Sequence, residues 1–200
     1  MPKIVDPEAR REEVVEAVFR VVRRHGLEQA SLRNVAEEAG LAIGSVRHYF
    51  AGHTELMVFA MQAMAERVER RLLEHVERLA AAADRLPVAE SMLAELLPLD
   101  ERRRDEATIW LAFATAARTR PELRPHAEES FDGMRRLVRR VLDGARALGR
   151  LREDADLEVE TDRLCALIDG LTVQAVLHPD RVDADTMTRA LRAHLVSLTR

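Results

Sequence analysis

A serine, an arginine, a histidine and a tyrosine fall within the short run Ser45-Val46-Arg47-His48-Tyr49. A hydroxyl, a guanidinium and an imidazole presented together suit the edges of DNA bases and the oxygens of phosphates. The arginine fork can bind guanine or phosphate bidentately. The candidate DNA contacts read from the residues are Ser31, Arg33, Ala42, Ile43, Gly44, Ser45, Arg47, His48 and Tyr49. Other chemistry finds no such concentration. The histidines at 25, 48, 53, 75, 126, 178 and 194 include no i, i+4 pair and no neighbouring cysteine cluster, so no metal is expected. No glycine-rich phosphate loop and no recognisable nucleophile–base spacing occur, so neither a cofactor nor an enzymatic activity is expected.

These side chains need a rigid mount, and residues 31–56 supply one. Leu32 to Ala39 reads as a helix with Leu32, Val35, Ala36 and Ala39 on one face. Ser31 is placed as its N-cap, and Gly40 as the residue that ends it with a positive φ. A second helix runs from Ile43 to Tyr49, ahead of a break at Ala51-Gly52. Val46 and Tyr49 point back at the first helix, which leaves Ile43, Gly44, Ser45, Arg47 and His48 facing out. That arrangement is a helix-turn-helix. A longer amphipathic helix, Pro7 to His25, precedes it and stops at Gly26. The expected core of this three-helix domain is Val18, Phe19, Val22, Leu27, Leu32, Val35, Ala39, Val46 and Phe50.

Ala36, Gly40, Leu41, Val46 and the His48-Tyr49-Phe50 run, followed by Glu55-Leu56, resemble the DNA-binding domain of TetR-family repressors, over residues 8–60. Two positions depart from the family pattern. Arg47 stands where the family usually has a tyrosine, and His53 where it has a lysine. The resemblance implies that both touch the phosphate backbone. An arginine serves there at least as well, whereas a histidine is charged only part of the time near neutral pH.

Bulk properties allow this reading. The chain has 200 residues, 47% of them hydrophobic and 33% charged, and lacks alternating Val/Ile/Thr stretches, so helices throughout are expected. Residues 1–52 hold eight Lys/Arg and eight Asp/Glu; all of the net charge of −4 therefore lies beyond them, with 23 basic against 27 acidic groups. A neutral domain still offers a basic face where its acids point elsewhere, and Glu12, Glu13, Glu16, Glu37 and Glu38 are spaced to lie on solvent faces. The single cysteine, Cys165, excludes an internal disulfide and suits a reducing cytoplasm as a small buried hydrophobe. Residues 1–20 are charged throughout, unlike a signal peptide, and the longest apolar stretch, Leu164 to Leu177, is short for a membrane span and contains Asp169.

Beyond residue 53, apolar positions at threes and fours predict one long helix over 54–83, including Leu56, Phe59, Met64, Val68, Leu72, Val76 and Leu79. Such a rod could carry a ligand-induced tilt into the DNA-binding domain. Prolines at 87, 98, 121, 125 and 179 then divide a bundle with expected helices Val88–Leu97, Glu101–Arg118, Pro121–Leu148 (with a break near Pro125), Leu157–Leu177 and Asp183–Thr199, several led by aspartate N-caps. The domains expected are thus 1–53, which binds DNA, and 54–200, which binds ligand and dimerises. Met64, Met92, Trp110, Phe113, Phe131 and Met134 are the large adaptable side chains that could line an effector cavity, though an ordinary core would use the same types. Stripes Leu164/Ile168/Leu171/Ala175 and Leu191/Leu195/Leu198, with Gly170 as a close-approach glycine, are the expected dimer interface. Asp169-Gly170-Leu171 and His178-Pro179 also resemble TetR-family regulatory domains.

The reading is an all-α, homodimeric, ligand-responsive regulator. The resemblance implies a repressor that binds a palindromic double-stranded operator and is released by a small-molecule effector, with no membrane partner expected. An activator, or a helical interaction module without DNA binding, would use the same elements.

Overall fold

Local capping sets the helices. The computed structural model describes residues 7–81 and 86–199, with side-chain surroundings for 10–76 and 87–199. Within these, α1 is Pro7–His25, α2 Leu32–Glu38, α3 Ile43–Tyr49, α4 His53–Ala81, α5 Leu86–Ala94, α6 Glu101–Ala117, α7 Arg124–Ala147, α8 Leu157–Leu177 and α9 Ala184–Leu198. Short 3-10 turns at Leu27–Gln29 and Pro121–Leu123 precede α2 and α7. Asp100, Asp156 and Asp183 accept backbone N–H bonds in the first turns of α6, α8 and α9. Pro121 opens a 3-10 turn rather than α7, and Pro125 sits in the first turn of α7, where a missing N–H removes no helical bond. The expected positions 82 and 83, and the side chain of Leu79, lie outside the described residues.

The chain forms two compact units, and their boundary is not at residue 53. Residues up to Glu66 group with Thr108–Ala127, and Arg67–Ala107 with Glu128–Arg200. The reason is packing: Ile109, Phe113, Ala117 and Leu123 share the core of α1–α3 with Leu56, Met57, Ala60, Met61 and Met64. α4 and α6 therefore each run through both units. Of the three-helix core expected above, Val18, Phe19, Val22, Leu27, Val35, Val46 and Phe50 are buried, while Leu32 and Ala39 are half-buried at its edge.

The second unit is cored by Leu93, Leu97, Val138, Leu142, Leu164, Ile168, Met187, Leu191, Leu195 and Leu198. On α4, Val76 is exposed and His75 is buried instead, accepted into an ion network with Arg71, Glu95 and Glu106. The proposed dimer stripes need correction. Leu164 (0% exposed), Ile168 (2%), Ala175, Leu191, Leu195 and Leu198 are consumed by the subunit's own core and offer nothing to a partner. Only Leu171 is half-buried, and Gly170 faces open space on the opposite side of α8.

Candidate nucleic-acid interface

Hydrogen bonds fix α2 at both of its ends, and so set the turn into α3. The Ser31 Oγ accepts the Asn34 N–H at 3.2 Å, and the Asn34 side-chain amide donates back to the Gln29 carbonyl at 2.8 Å. At the other end Gly40, with φ of 66°, lets the Leu41 N–H reach the Ala36 carbonyl at 2.8 Å and its own N–H reach Glu37 at 3.1 Å. That pair of bonds is a Schellman closure. The Arg20 guanidinium ties α1 to this end of α2 through the Glu38 carboxylate at 2.6 Å, and Arg24 adds a second bond at 3.2 Å. The Arg20 bond, with the positive charge of Arg24 behind it, holds the Glu38 carboxyl below the usual carboxylate range. Glu38 is thus half-buried and neutralised, not a solvent-facing acid, whereas Glu12, Glu13, Glu16 and Glu37 are exposed as expected.

α3 is seated by Val46, fully buried, and by half-buried Tyr49. Its other face is open: Ala42, Ile43, Gly44, Ser45, Arg47 and His48 are exposed. The His48 ring stands edge-on to Tyr49 at 5.4 Å. Among the described residues Arg33 and Arg47 have no intramolecular ion pair, so both guanidinium groups keep their full donor sets. Ser31 spends its acceptor on the helix cap and retains a hydroxyl proton to donate.

His53 differs from the expectation. Its Nε2 donates to the Leu27 carbonyl (3.3 Å), and its Nδ1 accepts from Arg120 (3.3 Å). Both ring nitrogens are occupied inside the subunit, which leaves none for a phosphate. Arg120 also reaches both Glu28 oxygens at 3.0 Å. No local sequence signal marks these partners, because Arg120 lies 67 residues from His53 and 92 from Glu28.

The six cavity candidates divide between the two units. Met64, Phe113 and half-buried Trp110 belong to the core of the first unit. Met92 is buried and Met134 half-buried in the second, and Phe131 is 53% exposed, a surface residue rather than a lining one.

A capped, closed helix-turn-helix with an open, partner-free arginine face, followed by a helical bundle, defines the class of helix-turn-helix DNA-binding regulators. Comparison with known proteins agrees. The family description "Bacterial regulatory proteins, tetR family" matches residues 14–58, and "BetI-type transcriptional repressor, C-terminal" matches residues 87–200. The HTH-type transcriptional regulator PksA of Bacillus subtilis (strain 168) is 38% identical over 201 residues, covering 99% of this chain and 94% of that protein. A transcriptional regulator from Rhodococcus sp. Rha1 superposes with a TM-score of 0.81 at 30% identity, over 94% of this chain and 95% of that one. A regulator from Saccharomonospora viridis in complex with choline has the same fold, with a TM-score of 0.84 at 22% identity over 96% and 99% of the two chains. The chain belongs to the TetR family of bacterial transcriptional regulators. Among the described residues no helix is long and apolar enough to cross a membrane.

Proposed function

We propose that the protein is a homodimeric, cytoplasmic repressor whose two α3 helices enter successive major grooves of a pseudo-palindromic operator. A small-molecule effector bound in the bundle releases it. The open face of α3, with Arg47 unpaired above buried Val46, carries the reading. The surrounding Ser31, Arg33, Ala42, Ile43, Gly44, Ser45, His48 and Tyr49 complete the contact surface. The effector side is supported by the BetI-type description of residues 87–200 and by a protein of the same fold holding choline. Release requires that the effector bind the non-DNA-binding arrangement more tightly, since equal affinity for both shifts nothing.

Apolar positions that the subunit leaves uncovered support a dimer face on α8. Val159, Ala166, Gly170 and Leu177 recur at helical spacing along α8, with half-buried Val173 between the last two and with Val159 50% and Leu177 59% exposed. Val196 on α9 is exposed as well. A stripe of small and apolar residues in water is what a second copy of the helix would cover. Gly170→Arg places a long cation on this stripe without touching the subunit core, because nothing lies within 4 Å of the glycine's missing Cβ. Sedimentation should then report folded monomers that hold a full operator no better than a half-site. A Gly170→Arg dimer with parental operator affinity would remove this face from the interface.

A further inference from the structure

Arg120 closes a joint of four partners. It follows α6, held by its backbone N–H on the Ala116 carbonyl at 3.0 Å. Its guanidinium meets His53, the first residue of α4, and both oxygens of Glu28, in the 3-10 turn that leads into α2. His53 meets that same turn through the Leu27 carbonyl. The two helices that run through both units are therefore bonded, at their ends in the first unit, to the segment in front of the helix-turn-helix.

The bonding also fixes the state of His53. A carbonyl only accepts, so Nε2 must carry a hydrogen; a guanidinium only donates, so Nδ1 must not. One neutral tautomer fits, and a proton on Nδ1 would point at Arg120. The charges facing the ring are the Arg120 cation and, through it, the Glu28 carboxylate. The free N–H groups at the start of α4 add a partial positive charge.

We propose that Arg120 is a positioning residue for the helix-turn-helix, and that His53 serves as the middle of its clasp instead of as a phosphate contact. Through the clasp, occupancy of α3 by operator and the state of residues 67–81 and 101–107 depend on one another. The proposal rests on the operator-binding reading for its coupling, while the clasp itself stands on the free protein.

The test compares full-length parent, Arg120→Met and Arg120→Lys, with an operator duplex selected from genomic fragments as the probe. In free parent labelled with ¹⁵N-histidine, His53 should show the Nε2–H tautomer, and Arg120→Met should lose that bias. Amide exchange over 27–38 should quicken roughly two- to five-fold in Arg120→Met, the range for loss of a partly exposed ion pair. Exchange in α8 and α9 should stay parental. Operator binding should slow exchange in 67–81 and 101–107 of the parent, fail to do so in Arg120→Met, and do so partially in Arg120→Lys. A hydrogen on Nδ1 in the parent, or operator-induced protection in Arg120→Met equal to the parent's, overturns the proposal. A parent that binds no selected duplex overturns the operator reading, and the tautomer and the free-protein exchange then decide the clasp alone.

Discussion

Replacing Arg47 by alanine isolates the DNA-facing role of α3 from its folding. Arg47 is exposed and has no ion pair among the described residues, so its removal breaks no internal bond. Alanine is also the better helix former, and the helix stays anchored by Val46. One good guanidinium contact to a base is worth about 1–3 kcal/mol. A two-fold dimer makes it twice, at sites far enough apart to add, so the operator complex should lose about 2–6 kcal/mol. That is a weakening of roughly 30-fold to 10⁴-fold. Fluorescence-anisotropy titrations of a selected operator at several salt concentrations read both the loss and its origin. A base contact would leave the slope of log K against log salt almost unchanged, whereas a phosphate contact would reduce it by about one per subunit. Circular dichroism should show parental helicity and melting. Arg47→Ala protein with parental affinity at every salt concentration would refute the placement of Arg47 on the DNA.

Phe113→Ala should cost about 3–5 kcal/mol in denaturant unfolding, because the ring is 1% exposed at the centre of the first core; a loss under 1 kcal/mol would mean that this core does not form as described. Gly40→Ala adds no clash but forces an alanine to a φ of 66°, so it should lower stability by about 1–2 kcal/mol; an unchanged melting temperature would contradict the Schellman closure. Burial is the largest influence on His194 and pushes its pKa below the ordinary 6.5; the Glu160 carboxylate pulls upward and Arg163 downward. The unfolded chain then takes up the proton first, so this contribution is present above the ordinary value and is lost as pH falls through it. Thermal stability should decline between pH 7.5 and 5.5 more steeply in the parent than in His194→Phe, and equal slopes would contradict the downward shift of this half-buried ring.

Where structure is set by neighbours in sequence, residue types alone reveal it. Ser31 and Gly40 bracket α2, and the expected span of α3 matches the observed Ile43–Tyr49, because caps and positive-φ glycines act within one turn. Likewise α1 ends just before Gly26 and α8 begins just after the Asp156 cap. Three other features depend on the fold as a whole. Periodicity shows that Leu164, Ile168 and Leu191 share an apolar face, but not whether a core or a partner covers it; here the core does. The unit boundary lies inside α4 because α6 contributes Ile109 and Phe113 to a distant core. His53 reads locally as a lysine substitute on the DNA side, but the Leu27 carbonyl takes its Nε2 and Arg120, returning from beyond α6, takes its Nδ1.

A dimer that reads DNA through α3 must select its own two-fold site from a genome. Sequencing the genomic fragments retained by the purified protein, followed by footprinting of the enriched site, tests it most directly. The enriched site should be a pseudo-palindrome whose half-sites lie about one helical turn apart on one face of the duplex, bound more weakly as salt rises. Arg47→Ala should fail to enrich that site. Retained fragments that share no two-fold motif, or the same motif selected equally well by Arg47→Ala, would contradict it.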